Sequence, residues 1–88
     1  MKRLEELRKK IDVLDTQLLH IIHDRLAVVE EVGKIKKELG LKPLDSTRWN
    51  AVLEKGFIQA DSLGLRKAFV KNILDTIHNE ALQIEQII

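Results

Sequence analysis

Apolar residues recur every three or four positions through almost the first half of the chain. This spacing is typical of one face of an α-helix that packs along its whole length. The members of the repeat are Leu4, Leu7, Ile11, Leu14, Leu18, Ile21, Val28, Val32, Ile35 and Leu39. Gly40 follows the repeat, and glycine is favoured just beyond the C-terminus of a helix. The pattern therefore predicts one helix from about Lys2 to Leu39, roughly 55 Å long at 1.5 Å per residue.

A short loop and a second helix follow. Pro43 cannot continue a helix, so residues 41–44 are predicted to form a loop. Asp45 or Ser46 can cap a second helix, which we expect to end near Ala60. The apolar residues on its inward face are Trp49, Val52, Leu53 and Phe57.

The last part of the chain predicts a turn and a third helix. Residues 61–64 form the predicted turn, and the helix runs from about Leu65 to the C-terminus. Its apolar stripe consists of Phe69, Ile73, Ile77, Ala81, Ile84 and Ile88. No segment alternates apolar and polar residues with a period of two, so no sheet is expected. The sequence therefore predicts one all-α domain over residues 1–88, with a long first helix, a short second helix and a medium third helix.

The unequal helix lengths bear on how the chain packs. The predicted first helix is about twice as long as the second, yet its apolar stripe runs nearly its whole length. Two shorter helices cannot cover that stripe within one chain, and a domain of this size buries a limited share of its surface. We therefore expect a second copy to cover the remainder in a two-fold homodimer.

Charge and composition disfavour several classes of protein. Charged residues make up 33% of the chain, yet the formal net charge is only +1, so no bulk attraction to nucleic acid or to a membrane is expected. The chain has no cysteine, no apolar run approaching about 20 residues, and a charged segment directly after Met1. We therefore expect a cytoplasmic protein without disulfides, membrane spans or a signal peptide.

Two cations interrupt the apolar stripe of the first helix. Arg25 occupies a stripe position, and Lys36 follows three helical turns later, only about 20° further around the axis. Arg25 alone could extend to solvent or pair with Asp24 or a glutamate of a neighbouring helix. Two cations on one apolar face instead favour a pocket that binds an anion. Arg8 points about 100° away from Arg25, so it could serve such a pocket only from a second copy.

Three further charged residues belong to the same hypothesis. Glu85, near the end of the third helix, could pair with Lys36, or it could stay protonated in a buried position and donate a hydrogen bond. Arg48 in the first turn of the second helix opposes the helix dipole, so a nearby anion is expected to compensate. Asp45, three residues earlier, could do so as a surface ion pair.

Other chemistry is less well supported. His20 and His23 stand three residues apart, but no third ligand has suitable spacing, so no metal site is predicted. His78 is interpreted as a packed or pocket-rim residue rather than a base. No nucleophile stands beside an oriented histidine, and no glycine-rich phosphate loop occurs, so no cofactor is expected. Glutamates adjoin the basic residues 34–42, which disfavours a three-helix DNA-binding domain.

Three segments of the chain together carry a family resemblance. The opening LRKKIDVLDTQLLHIIHDR is similar to the pattern L-R-x-x-I-D-x-L-D-x-x-L-L-x-L-L-x-x-R. EEVGKIK is similar to E-V-G-x-x-K, and KPLDSTR to P-x-x-D-x-x-R with one residue fewer before the aspartate. These patterns belong to the AroQ class of all-helical chorismate mutases, which the chain resembles over nearly its whole length.

The resemblance implies an intertwined homodimer with two equivalent sites that rearrange chorismate to prephenate in aromatic amino-acid biosynthesis, without a metal or cofactor. Arg8 from the partner chain would bind one substrate carboxylate, and Arg25 would bind the other. Lys36 would reach the ether oxygen and a carboxylate. Arg48 and Asp45 would hold the ring-hydroxyl end.

Three positions of the implied site depart from the family pattern. Trp49 stands where a glutamate usually contacts the substrate hydroxyl, and Ala81 replaces a small polar residue. Glu85 stands where glutamine is commoner, at the ether oxygen. Two alternatives therefore stay open. One is an isochorismate pyruvate lyase or aminodeoxychorismate mutase on the same fold, and the other is a non-catalytic helical dimer that binds a metabolite.

Overall fold

A computed structural model describes all 88 residues and contains three α-helices and no strand. Helix α1 spans Lys2–Glu38, α2 spans Ser46–Leu63 and α3 spans Lys67–Ile87. Their lengths are 37, 18 and 21 residues, so the predicted all-α class and the order of helix lengths are confirmed. None of the three helices contains an apolar stretch long enough to cross a lipid bilayer.

The link between α1 and α2 follows the local signals of the sequence. Gly40 adopts a left-handed φ of 69° just after the last turn of α1, a conformation that favours glycine. Asp45 caps α2, because its Oδ1 accepts the backbone N–H of Arg48 at 3.0 Å. This contact satisfies one of the free N–H groups at the start of the helix.

The end of α2 differs from the prediction. The helix does not end near Ala60 but continues through residues 61–63, and only residues 64–66 link it to α3. Gly64 is the stop, with a left-handed φ of 71°, and the N–H of Leu65 donates to the carbonyl of Ala60 at 2.8 Å. The polar residues at 61 and 62 are compatible with a helix and do not end it, whereas Gly64 does.

Helix α3 packs against both other helices, whereas the backbones of α1 and α2 stay apart. Small residues make these approaches possible. A Cβ on Gly56 of α2 would lie 2.7 Å from Cδ1 of Leu74, and a Cβ on Gly33 of α1 would lie 3.1 Å from Cγ of Glu85. The three buried residues of the chain are Gly33, Ala60 and Ala81. The close contacts therefore fix α3 against its neighbours and leave a gap between α1 and α2.

Most of the apolar surface of α1 is uncovered within one chain. The molecule measures 57 × 26 × 15 Å, and α2 and α3 are too short to follow α1 to its N-terminus. Six members of its stripe are between 39% and 64% exposed: Leu4, Leu7, Ile11, Leu14, Leu18 and Ile21. Phe69 and Ile73 of α3, predicted to face inward, are also exposed in the single chain.

Candidate active site

A pocket of about 370 Å³ fills the gap between the C-terminal half of α1, the start of α2 and the end of α3. Its walls combine aliphatic side chains with charged ones. The lining residues are Arg25, Val28, Val29, Val32, Lys36, Pro43, Asp45, Arg48, Trp49, Val52, His78, Ala81 and Glu85. Every candidate site residue predicted within one chain, all but Arg8, therefore lies along this pocket.

Arg25 brings a cation to the pocket without a counter-charge. It is half-buried, and its Nη1 atom is buried with no hydrogen-bond partner. The predicted alternative of a salt bridge with Asp24 is wrong, because Asp24 instead lies 3.1 Å from Nδ1 of His23. A buried N–H group without an acceptor costs about 1–3 kcal/mol. The position of Arg25 thus favours an anionic guest that supplies the missing acceptor.

Lys36 lies three helical turns after Arg25 on the same face of α1, and it has two partners. Its Nζ atom is 2.8 Å from Oε1 of Glu85 and donates to the carbonyl of Pro43 at 2.6 Å. The Glu85 side chain is 7% exposed and that of Lys36 is 21% exposed. Oε1 has no aligned hydrogen-bond donor despite the short ion-pair distance, so Coulomb attraction dominates this contact. The sequence left two alternatives for Glu85, and pairing with Lys36 is the one that the structure shows.

Gly33 sets the distance between these charged groups. It lies one turn before Lys36 on α1, where α3 passes with Glu85 and Ile88 against it. Any larger residue would press on the side chain of Glu85.

The carbonyl of Pro43 was not anticipated as part of the site, because a backbone acceptor leaves no signal in the sequence.

The start of α2 supplies a third cation. Asp45 contacts the backbone N–H of Arg48, not its guanidinium, so the expected surface ion pair between the two side chains is absent. The cap itself places a negative charge at the helix N-terminus, which offsets the unfavourable position of Arg48. The Arg48 side chain is exposed at the pocket and remains available to an anion.

Trp49 and His78 stack across the pocket from α2 and α3. Their ring centroids are 3.7 Å apart and their planes are 6° from parallel. Burial, and next the positive charge of Arg25, lowers the pKa of His78 below its ordinary value of 6.5. The sequence predicted that His78 is a packed or pocket-rim residue, but it gave no sign of the contact with Trp49. The signal available was its spacing, since His78, Ala81 and Glu85 share one face of α3.

Arg8 lies outside this pocket. It is exposed on α1, seventeen residues before Arg25, which corresponds to about 25 Å along the helix axis. No arginine side chain bridges that distance within one chain. The pocket of a single chain therefore contains Arg25, Lys36 and Arg48 as its cations.

The three-helix fold gathers cations in a half-enclosed pocket, an arrangement that suits a small anionic ligand. The sequence matches the chorismate mutase type II family model over residues 7–86. The chain belongs to this family, as its resemblance to the AroQ class had predicted.

The chain is also similar in sequence to several individual proteins. The chain is 31% identical over 81 residues to the T-protein of Haemophilus influenzae, a match that covers 92% of this chain and 22% of that protein. It is 33% identical over 55 residues to the chorismate mutase of Methanocaldococcus jannaschii, covering 62% of this chain and 56% of that protein. A 4-amino-4-deoxychorismate mutase of Streptomyces venezuelae is 26% identical over 85 residues, a match that covers 97% of this chain and 82% of that protein. The chain thus spans about a fifth of the length of the matched T-protein.

Proposed function

We propose that this chain catalyses the rearrangement of chorismate to prephenate. The observation that carries the proposal is the buried, unpartnered Nη1 of Arg25 in the same pocket as Lys36, in a chorismate mutase type II chain. Chorismate is a compact dianion with two carboxylates. A planar guanidinium binds a carboxylate through two parallel hydrogen bonds, which suits Arg25 to one of them.

The reaction is a single pericyclic step, so the protein acts by holding the substrate in a reactive conformer and by stabilising the charge that develops on it. Aliphatic walls from α1 and α2 restrict the substrate to a compact conformer in which the reacting carbons approach. Negative charge grows on the ether oxygen as its C–O bond breaks. A positioned cation such as Lys36 stabilises that charge, and one such donor is typically worth about 3–4 kcal/mol.

Glu85 has two roles in this proposal. In the free protein its contact with Lys36 holds the ammonium group against the pocket wall. With substrate bound, a negatively charged Glu85 would repel the developing charge on the ether oxygen, whereas a protonated Glu85 would donate a hydrogen bond to it. Glu85 can therefore assist at the ether oxygen only as a neutral donor. Asp45 and Arg48 serve the ring-hydroxyl end, with Trp49 and Ala81 as pocket walls.

A second copy of the chain is part of the proposed enzyme. The uncovered apolar stripe on the N-terminal half of α1 supports it, because an exposed face of this extent on a small domain is unstable in water. In an intertwined dimer the N-terminal half of one α1 would pass the pocket of the other chain. Arg8 would then bind the second substrate carboxylate from across the interface.

Mixing two inactive variants tests the shared site. Arg8→Ala and Arg25→Ala each remove one cation from every site of their own homodimers. If Arg8 acts across the interface, subunit exchange creates heterodimers with one intact and one doubly altered site. Random exchange then restores about a quarter of wild-type activity. No recovery after verified exchange would refute the action of Arg8 across the interface, and analytical ultracentrifugation checks the dimer independently.

Activity itself is tested with purified protein and three substrates. Loss of the diene absorbance of chorismate, with prephenate identified as the product, supports the proposal. Pyruvate released from isochorismate alone would indicate a lyase. Tight binding of a bicyclic dicarboxylate without turnover of any substrate would indicate a metabolite-binding dimer.

An aminodeoxychorismate mutase is the second candidate. It is favoured by the relative from Streptomyces venezuelae, whose match covers 97% of this chain, and by an uncharged Trp49 in the pocket. Turnover of 4-amino-4-deoxychorismate at a higher kcat/KM than chorismate would select this candidate.

A further inference from the structure

The proposed chemistry uses Trp49 only as a pocket wall and gives no role to His78, on which it stacks. The 3.7 Å separation and 6° angle fix the plane of the imidazole against the indole. Both residues are half-buried and both line the pocket. The stack joins α2 to α3 at the wall of the pocket.

His78 presents a neutral hydrogen-bonding group among charges. Arg25 and Lys36 on α1 are the cations near it, while Asp75 and Glu85 on α3 are the nearby anions. Burial and Arg25 together lower its pKa below 6.5, so the neutral ring predominates at pH 7. A neutral imidazole offers one donor and one acceptor nitrogen. His78 takes part in none of the side-chain hydrogen bonds within the chain.

Building on the proposed function, we propose that the Trp49–His78 stack determines specificity for a hydroxyl group on the substrate ring. His78 contacts that hydroxyl, donating to it or accepting from it. Trp49 is a positioning residue that holds the imidazole plane by stacking. Neither side chain takes part in breaking or forming bonds.

The charge balance explains why a hydroxyl is preferred over an ammonium group at this place. The pocket already holds Arg25, Lys36 and Arg48, and its carboxylates are engaged by Lys36 and by the N-terminus of α2. An ammonium substituent would add a further positive charge beside a wall that supplies none in compensation. A hydroxyl adds no charge, and it can either donate to or accept from the imidazole nitrogen that faces it.

The test compares chorismate with 4-amino-4-deoxychorismate, which differ at one ring substituent. We expect the wild type to prefer chorismate in kcat/KM. His78→Leu removes both nitrogens at similar volume, so kcat/KM for chorismate should fall about tenfold, as for the loss of one hydrogen bond, with little change for the amine. His78→Gln keeps a neutral donor and acceptor and should recover most of the preference. A Gln variant no better than the Leu variant would overturn the role of His78.

A double-mutant cycle separates positioning by Trp49 from simple packing. If Trp49 acts through His78, then Trp49→Leu and His78→Leu each reduce the preference for chorismate, and the double variant reduces it no further. Trp49→Phe keeps a stacking ring and should stay near wild type. Additive losses, with equal effects on both substrates, would leave the stack as packing only and contradict the proposal. Circular dichroism on each variant establishes that the helices are intact.

A binding measurement distinguishes failure of this inference from failure of the proposed function. Calorimetry with a hydroxyl-bearing bicyclic dicarboxylate and its deoxy counterpart repeats the comparison without turnover. A hydroxyl preference that His78→Leu abolishes supports the stack even if no substrate is converted. Normal turnover with an unchanged preference refutes the stack alone, and failure to bind either compound refutes both.

Discussion

Arg25 and Lys36 are two cations of one pocket whose removal should change stability in opposite directions. Arg25→Met keeps the apolar stem of the side chain and deletes the guanidinium, whose buried Nη1 has no partner. Deleting an unsatisfied buried group recovers about 1–3 kcal/mol, less some lost packing. We therefore expect the free energy of unfolding to rise by about 1 kcal/mol while turnover is lost.

Lys36→Met is the matched control. It removes the 2.8 Å partner of Glu85, whose side chain is only 7% exposed, and the donor to the carbonyl of Pro43. Breaking a fully buried ion pair costs about 3–5 kcal/mol. Lys36 itself is 21% exposed, so water offsets part of the loss and we expect a fall of about 1–3 kcal/mol. Turnover should be lost here too.

Urea unfolding of both variants measures these effects at one fixed protein concentration, because the stability of a dimer depends on concentration. The m-value must stay constant for the comparison to hold. Destabilisation by Arg25→Met equal to that by Lys36→Met would refute the reasoning, since the arginine would then be paired in the folded state. A variant with full activity would remove that cation from the site.

The remaining predictions concern groups around the same pocket. The pKa of His78 is lowered, so the unfolded chain binds more protons and stability should fall as pH drops below 6.5; His78→Gln should flatten this dependence in thermal unfolding at pH 5 and pH 7.5. Arg25→Met should raise the pKa of His78 in an NMR titration, because a nearby positive charge is removed. Gly33→Ala adds a Cβ 3.1 Å from Cγ of Glu85, so kcat should fall severalfold with stability changed by under about 1 kcal/mol, and a normal kcat would show that Glu85 tolerates the shift. If Glu85 donates to the ether oxygen, Glu85→Gln should keep turnover because its amide also donates, and loss of turnover in this variant would contradict the role.

Much of the fold was predictable because its signals are local. The three-and-four spacing predicted α1 almost to the residue, Asp45 or Ser46 marked the start of α2, and Gly40 marked the end of α1. The end of α2 was placed too early, since residues 61–63 stay helical until Gly64. Polar residues favour a turn only weakly, whereas a glycine that adopts a left-handed φ stops the helix.

The candidate site was predictable wherever periodicity fixes a helical face. Arg25 and Lys36 lie three turns apart on one helix, and that spacing alone predicts a shared face. The pairing of Lys36 with Glu85 was one of two interpretations of Glu85 that the sequence left open, and only the approach of α3 to Gly33 decided between them.

The amino-acid sequence by itself determined the helices, the cationic face of α1 and membership of the chorismate mutase type II family, because each depends on residue type and spacing along the chain. The tertiary structure decided that Trp49 stacks on His78, that Lys36 reaches the carbonyl of Pro43, and that Arg25 is left without a partner. These contacts join different elements, and their distances depend on how closely two helix surfaces approach. Spacing along one chain segment carries no information about that approach.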